Sequence, residues 1–242
     1  MRRRLCGLGA AAAVLVGCGN LPELPPFPEP AAIGETTAAA TPAPGATTLS
    51  PDGFRTTERV AVRVRNVGCG GVSTGSGFAV SEDVLVTNRH VVAGADTLQV
   101  STYDGQDLLV ETAGAAIVAD LAIVHSRSEL PAAVTLAKAD PSVGDPIEVV
   151  GFPGGGRLTS SVGRVLSFEE DPLDANAGEV IVTDAVAEPG SSGSPMYDAS
   201  GQVVGVVYAA AEDGSRSLAV PVSTLQRLLD QPESTGAVPP CE

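Results

Sequence analysis

The chain has 242 residues, of which 43 % are hydrophobic and 18 % charged, so it can bury a core and is not disordered throughout. Its formal net charge of −15 argues against binding to nucleic acid and against a polybasic contact with anionic lipid, because both partners are negatively charged. Two histidines and four cysteines are too few for a His-rich or Cys-rich metal domain, and no metal or other cofactor is predicted.

The first 17 residues have the pattern of a signal peptide. Arginines at positions 2–4 precede an uncharged, mostly apolar stretch over residues 5–16. A helix of that length reaches only ~18 Å, too short for a hydrocarbon core of ~30 Å, so a signal peptide over residues 1–17 is predicted rather than a membrane span. The stretch ends in Leu15-Val-Gly-Cys18, which resembles the bacterial lipobox and predicts a lipid on Cys18. The alternative is an ordinary signal peptide with an incidental cysteine.

The remaining cysteines suggest a disulfide. Cys6 lies in the predicted signal peptide and Cys18 would carry the lipid, so Cys69 and Cys241 are left. An even pair in an exported protein is a disulfide candidate. The two positions are 172 residues apart, and closing so long a loop stabilises the fold by up to ~5 kcal/mol, chiefly through the unfolded chain. The alternative is two free thiols.

Composition divides the rest of the chain into three parts. Residues 18–53 are rich in Pro, Ala and Thr, which is typical of a disordered, extended tether. Residues 54–231 contain short β-branched runs separated by Gly, Asp, Asn and Ser, which predicts an all-β domain of ten or more strands. One helix is predicted over residues 222–229, with Ser223 as its cap. A polar tail over residues 232–242 would be held by the disulfide.

Three motifs supply a histidine, an aspartate and a serine in that order. They are Thr87-Asn-Arg-His-Val91, Asp120-Leu-Ala-Ile123 and Gly190-Ser-Ser-Gly-Ser-Pro195. In order, spacing and all-β context they resemble the motifs of the chymotrypsin-fold serine proteases, over about residues 60–230. The resemblance implies two antiparallel six-stranded barrels of the chymotrypsin type, followed by a short C-terminal helix.

The residue types in these motifs suit nucleophilic catalysis. A serine hydroxyl is a poor nucleophile unless an imidazole takes its proton, and a carboxylate behind the ring fixes the tautomer. We therefore expect a catalytic triad of His90, Asp120 and Ser192. The amides of Gly190 and Ser192 are expected to form the oxyanion hole. The competing candidates are His125, which ends a predicted strand, and Ser191 and Ser194, which flank the proposed nucleophile.

A narrower resemblance rests on the two isolated cysteines and on Gly151-Phe-Pro-Gly-Gly-Gly156. These features resemble the actinobacterial membrane-anchored periplasmic protease linked to acid resistance. The glutamyl endopeptidases are a more distant relative, through the motifs around His90 and Ser192. Ser191 stands where the digestive relatives carry an aspartate that receives a new N-terminus, so activation by that ion pair is not expected here.

Positions offset from the motifs predict the specificity pocket. Val186 stands where trypsin-type enzymes carry an aspartate, which disfavours an Arg or Lys ligand because nothing would neutralise its charge. A small or medium apolar side chain is the expected ligand. The predicted wall residues are Val186, Glu188, Val207, Tyr208 and Ala209. For each of them the alternative role is ordinary barrel packing.

These observations predict a serine endopeptidase that acts on extracytoplasmic proteins by a Ser-His-Asp acyl-enzyme mechanism. Its partners would be protein or peptide substrates. It would be lipid-anchored to the outer face of the cytoplasmic membrane, touching the membrane through the lipid only, or secreted. The alternative is a catalytically idle binding module on the same fold at the cell envelope. The sequence gives no indication of the oligomeric state.

Overall fold

The computed structural model describes residues 49–68, 70–116, 119–173, 175–176, 178–211, 214–231 and 235–237. Within these residues the chain forms mainly β-strands, together with two four-residue helices and one helix of nine residues. None of the helices in this part of the chain is long and apolar enough to cross a membrane.

The first β unit is an eight-stranded antiparallel sheet. Its elements are α1 (Thr56–Arg59), β1 (Ala61–Gly68), β2 (Gly71–Ala79), β3 (Val84–Thr87), α2 (Arg89–Val92), β4 (Ala95–Thr102), β5 (Asp107–Leu108), β6 (Val110–Ala116) and β7 (Ala122–Ser126), with β14 (Thr235–Ala237) added from the end of the chain. The strand order is β14-β6-β7-β3-β2-β1-β4-β5. Side chains from alternate positions, including Val62, Val64, Leu85 and Val100, are buried on its inner face, as the period of a strand requires.

The second β unit is a closed six-stranded barrel. Its elements are β8 (Pro146–Gly151), a 3-10 turn (Pro153–Gly155), β9 (Thr159–Glu170), β10 (Glu179–Thr183), β11 (Pro195–Tyr197), β12 (Val203–Ala210), β13 (Ser217–Pro221) and α3 (Val222–Asp230). The strands close in the order β10-β13-β12-β11-β8-β9. Closure removes the exposed strand edges that would otherwise pair with other chains.

Strand β12 contributes side chains both to the barrel interior and to the core between the two units. Val204 and Val207 pack inside the barrel. Val203 and Val206 belong to a second cluster that includes Phe78 of the first unit. Both faces of β12 are therefore buried, which explains why its sequence is a continuous apolar run rather than an alternating one.

The predicted all-β fold with a short C-terminal helix is confirmed, with two differences in detail. Among the described residues the first unit is an open sheet, with β5 and β14 as its two edge strands, rather than a closed six-stranded barrel. Helix α3 begins at Val222, as predicted, but Ser223 is not its cap. Instead the N–H and hydroxyl of Ser223 donate to the carboxylate of Asp140, at 2.9 and 2.7 Å, so the helix start is held from another loop.

The end of the chain is attached by strand pairing. Thr235, Gly236 and Ala237 pair with Ala116, Ala115 and Gly114 of β6, although the sequence predicted a tail held only by a disulfide. The two cysteines of the predicted disulfide, the predicted lipidation site Cys18, the predicted signal peptide and most of the predicted tether lie outside the described residues. Those four predictions remain predictions.

Candidate active site

Strand pairing places His90 beside Asp120. Strands β3 and β7 are antiparallel neighbours, with Thr87 opposite Ala122. The end of β3 therefore meets the start of β7. His90 lies in the one-turn helix α2 just after β3, and Asp120 lies two residues before β7, so two segments 30 residues apart converge at one edge of the sheet.

The contact between the two side chains is a short hydrogen bond. Nδ1 of His90 and Oδ2 of Asp120 are 2.5 Å apart, and the other carboxylate oxygen accepts the backbone N–H of His90 at 3.0 Å. The Asp120 side chain is only 4 % exposed, whereas the His90 side chain is 49 % exposed. A carboxylate on Nδ1 favours the tautomer in which Nε2 carries a lone pair. The ring can thus accept a proton at Nε2.

Two asparagines hold the main chain of Asp120. The Asn88 side chain donates to the Asp120 carbonyl oxygen at 2.7 Å, and the Asp120 N–H donates to the side-chain oxygen of Asn176 at 2.8 Å. Asn88 begins α2, and Asn176 comes from the β9–β10 loop of the barrel. The predicted catalytic carboxylate is therefore fixed from both β units. Sequence reasoning missed both asparagines.

Behind Asn176 lies a second carboxylate, Asp171. It accepts hydrogen bonds from the Asn176 side chain at 3.0 Å and from the Tyr208 hydroxyl at 2.5 Å, as well as from the N–H groups of Leu173, Ala175 and Asn176. Burial raises the pKa of Asp171, but these hydrogen bonds outweigh it and the pKa lies below its ordinary value. Burial and the neighbouring Asp171 carboxylate raise the pKa of Tyr208, so the phenol remains a donor.

The Ser192 side chain lies at the end of this network. Its hydroxyl donates to the Tyr208 carbonyl oxygen at 3.4 Å, and among the described residues it makes no hydrogen bond to His90. Gly75 separates the Ser192 segment from α2, because a Cβ there would lie 2.6 Å from a Val91 methyl and 3.2 Å from the Ser192 carbonyl oxygen. The nucleophile candidate and the histidine helix thus pack on the same glycine.

The neighbouring serines have different surroundings. The Ser191 hydroxyl accepts the Glu188 N–H at 3.2 Å, within the loop. The Ser194 side chain is fully buried, and its hydroxyl has no partner in the part of the chain that the structure describes. Ser192 is half-buried. His125 lies on β7 opposite Val84, with its side chain exposed.

Gly190 has a backbone that only glycine adopts easily. Its φ is 97°, and a Cβ there would lie 2.7 Å from the Gly154 nitrogen and 2.8 Å from the Phe152 carbonyl oxygen. The Pro189 carbonyl accepts the Gly154 N–H at 2.6 Å. Because a trans peptide directs its C=O and N–H to opposite sides, the Gly190 N–H points away from Gly154. Within the described chain, the N–H groups of Gly190 and Ser192 donate to no acceptor.

A cavity of about 340 Å³ adjoins Ser192. Small apolar residues line most of it, together with Glu188 at one wall; of the predicted wall residues, Glu188, Val207 and Ala209 contribute. Val186 does not line this cavity. It is 53 % exposed and borders a separate hollow of about 230 Å³. Tyr208 is buried and contributes its carbonyl to Ser192 rather than a wall.

Comparison with known proteins identifies the fold family. The family model described as a trypsin-like peptidase domain matches residues 75–206. A probable periplasmic serine endoprotease, DegP-like, of Hahella chejuensis is 33 % identical over 172 residues, covering 69 % of this chain and 37 % of the relative. The chain thus spans about a third of the length of the curated relatives it matches.

Two solved structures extend this similarity. The active form of the Rv3671c protease from M. tuberculosis is 29 % identical, with a TM-score of 0.66, covering 77 % of this chain and 85 % of that one. The HtrA-type protease AlgW with a tripeptide is 26 % identical, with a TM-score of 0.65, covering 72 % and 60 %. The family match over more than half of the chain shows that this protein belongs to the family of trypsin-like peptidase domains.

Proposed function

We propose that the chain is a serine endopeptidase with Ser192 as nucleophile, His90 as general base and Asp120 as the carboxylate that orients the ring. The main support is the 2.5 Å contact between a buried carboxylate and a half-exposed imidazole, together with a half-buried serine whose segment packs against the same glycine as the histidine helix. An unpaired buried carboxylate would be costly, and its pairing with the ring explains why it is there.

The proposed reaction proceeds through an acyl-enzyme. As Ser192 Oγ attacks the carbonyl carbon of the scissile bond, its proton passes to Nε2 of His90, and the carbonyl oxygen becomes an oxyanion. The N–H groups of Gly190 and Ser192 stabilise that charge. The tetrahedral intermediate then expels the amine, which takes the proton from His90. A water molecule, deprotonated by the same ring, hydrolyses the ester and restores the serine.

The proposed preference at the scissile bond is for a small or medium apolar side chain. The cavity beside Ser192 is lined mostly by small apolar residues, four of them alanines, which suit an apolar ligand side chain. Glu188 carries a negative charge at this cavity, which disfavours an acidic ligand side chain by repulsion. Cleavage of a peptide library by the purified protein, followed by mass spectrometry, tests this preference. Enrichment of acidic residues before the cut would contradict it.

We also propose that the protein works outside the cytoplasm, held by a lipid on Cys18 and a tether over residues 18–53. The N-terminal pattern supports this, as do the periplasmic relatives. The narrower relationship to the actinobacterial membrane-anchored protease is supported by the M. tuberculosis structure and by the turn after β8. A disulfide between Cys69 and Cys241 and a signal peptide over residues 1–17 belong to the same proposal.

The alternative, an idle binding module, has one observation in its favour. The Ser192 hydroxyl donates to the Tyr208 carbonyl and not to the His90 ring. Catalysis requires rotation of the half-buried Ser192 side chain from this rotamer to another staggered one. Hydrolysis of a peptide substrate by the wild type, and its loss in Ser192→Ala, separates the two functions. A wild type as inactive as Ser192→Ala would favour the binding module.

A further inference from the structure

Ser76 connects the first β unit to the catalytic loop of the second. It lies in β2 and its side chain is fully buried. Its N–H donates to the Ser192 carbonyl oxygen at 2.7 Å, and its hydroxyl donates to the Gly190 carbonyl oxygen at 2.8 Å. The same hydroxyl accepts the Phe152 N–H at 2.8 Å, and its carbonyl accepts the Thr87 hydroxyl at 2.6 Å.

We propose that Ser76 is a positioning residue that sets the geometry of the oxyanion hole, an inference that rests on the proposed function. Gly190 has a φ of 97° and lacks a Cβ, so no side chain restricts rotation about its backbone bonds. Its orientation must therefore come from bonds to the carbonyl groups on either side of it. The Pro189 carbonyl is tied to Gly154, and the Gly190 carbonyl is tied to Ser76.

A second hydrogen bond from Ser76 holds the residue two positions after Gly190. Its N–H holds the Ser192 carbonyl, so the segment from Gly190 to Ser192 is fastened at both ends to a single residue. The two proposed oxyanion donors are the N–H groups of these same end residues. Preorganised donors stabilise a developing charge without having to reorient during the reaction, and Ser76 supplies that preorganisation.

The hydroxyl of Ser76 also reaches the turn that supports the other side of the loop. It accepts the N–H of Phe152, and Gly154 two residues later donates to Pro189. Arg63 of β1 lies over the Phe152 ring at 5.8 Å and donates to the Gly155 carbonyl at 3.3 Å. The first β unit thus holds both the loop and the turn against which the loop rests.

The packing at Ser76 accommodates a small hydroxyl and little more. A Cβ on Gly151 would lie 2.8 Å from the Ser76 hydroxyl oxygen, and a Cβ on Gly193 would lie 2.0 Å from the Ser76 carbonyl oxygen. Ser194 provides a matched control, because it is equally buried and its hydroxyl lies against the same Gly151. That hydroxyl has no partner among the described residues, so removing it costs no hydrogen bond.

The test compares Ser76→Ala with Ser194→Ala in steady-state peptide hydrolysis. For Ser76→Ala we expect kcat to fall roughly tenfold to a hundredfold, short of the loss of a whole oxyanion donor, with KM within about twofold of the wild type. The affinity for a peptidyl trifluoromethyl ketone, whose adduct carries an oxyanion, should fall in parallel. The pH profile should keep its shape, because Ser76 does not touch His90. Ser194→Ala should match the wild type in all four readouts.

Substitutions of Thr87 provide a second comparison, which can be made even if Ser76→Ala does not fold. Thr87→Val is nearly isosteric and removes the hydroxyl that holds the Ser76 carbonyl, whereas Thr87→Ser keeps it. Thr87→Val should lower kcat and the ketone affinity together, and Thr87→Ser should not. A Ser76→Ala protein that folds with wild-type kcat and ketone affinity would overturn the role of Ser76. Equal values for Thr87→Val and Thr87→Ser would overturn it as well. An inactive wild type would overturn the proposed function, and this inference with it.

Discussion

Three serines within four positions show how local surroundings separate a nucleophile from its neighbours. Among the described residues the buried Ser194 hydroxyl has no hydrogen-bond partner. The Ser191 hydroxyl accepts an N–H of its own loop, and Ser192 alone of the three is half-buried, beside the cavity. The sequence motif predicts the same choice from the frame of residues around it. The motif does not predict the hydrogen bond from Ser192 to Tyr208. Tyr208 lies on β12, which β11 and a hairpin separate from the motif, and the position of β12 beside Ser192 is set only in the folded barrel.

Replacing the nucleophile should remove activity without removing the fold. Ser192→Ala deletes one half-buried hydroxyl whose hydrogen bond, at 3.4 Å, is long. We expect kcat to fall by at least about four orders of magnitude, since a triad works as a unit. The melting temperature should stay close to that of the wild type. Steady-state kinetics and circular dichroism check this. Ser191→Ala is the control, and it should retain a readily measurable turnover. Wild-type turnover in Ser192→Ala would exclude Ser192.

The orienting carboxylate can be tested by an isosteric change. Asp120→Asn keeps an oxygen that can accept the His90 N–H, but it removes the negative charge that fixes the ring tautomer. We expect kcat to fall by about 10³ to 10⁴ with little change in KM. Single-turnover hydrolysis of an ester substrate measures this directly. A loss of less than tenfold would show that Asp120 does not orient the ring.

At the scale of the elements, the β9–β10 loop has a role in the site that none of the sequence motifs predicts. It is more than 50 residues from Asp120 in sequence, yet Asn176 accepts the N–H of that residue. Asp171 holds the loop by accepting from three backbone N–H groups and from Tyr208. Sequence periodicity finds the strands that flank such a loop. It cannot find the loop's contacts, because these depend on how the two β units meet.

The loop should respond to acid through Asp171. Because the pKa of Asp171 lies below its ordinary value of 3.8 in the folded protein, its ionisation favours the folded loop. That contribution is fully present above about pH 4 and is lost as the pH falls through the lowered pKa. The protection factors of the Leu173, Ala175 and Asn176 amides, whose N–H groups donate to Asp171, should therefore fall below pH 4 in the wild type.

Asp171→Asn is the matched control for this effect. It keeps an acceptor but does not titrate, so the protection factors of these three amides should be lower at neutral pH and should change less on acidification. Activity should fall in parallel, because Asn176 would hold Asp120 less firmly. Wild-type protection factors that do not change between pH 5 and pH 3 would contradict this role for the carboxylate.

At the scale of the whole molecule, composition and β-branched runs predicted the all-β class, and the resemblance of the three motifs to those of the chymotrypsin-fold proteases implied the two-unit architecture. The strand additions at the edges of the first sheet were not predictable. Strand β14 has only three residues, and its partner β6 lies more than a hundred residues earlier. A segment so short gains its structure from an available sheet edge, not from its own propensity.

The envelope attachment is tested on the full-length chain. Labelled palmitate should enter the wild type and not Cys18→Ala, and the variant should move from the membrane fraction to the soluble fraction. Equal membrane retention of both proteins would contradict lipid anchoring.

Reduction of the proposed Cys69–Cys241 disulfide should lower the melting temperature, because it releases a long loop in the unfolded chain. Two alkylated thiols in the unreduced protein would show that the disulfide does not form.

The most direct test of the central claim is the reaction of the wild-type protein with a fluorophosphonate, read by intact mass and by mapping of the modified peptide. A fluorophosphonate reacts with a serine activated by a base and an oxyanion hole. We predict a single adduct on Ser192, a much slower reaction in Asp120→Asn, and none in Ser192→Ala or in heat-unfolded protein. A native wild type that carries no adduct, or carries it on Ser191 or Ser194, would contradict the proposed active site.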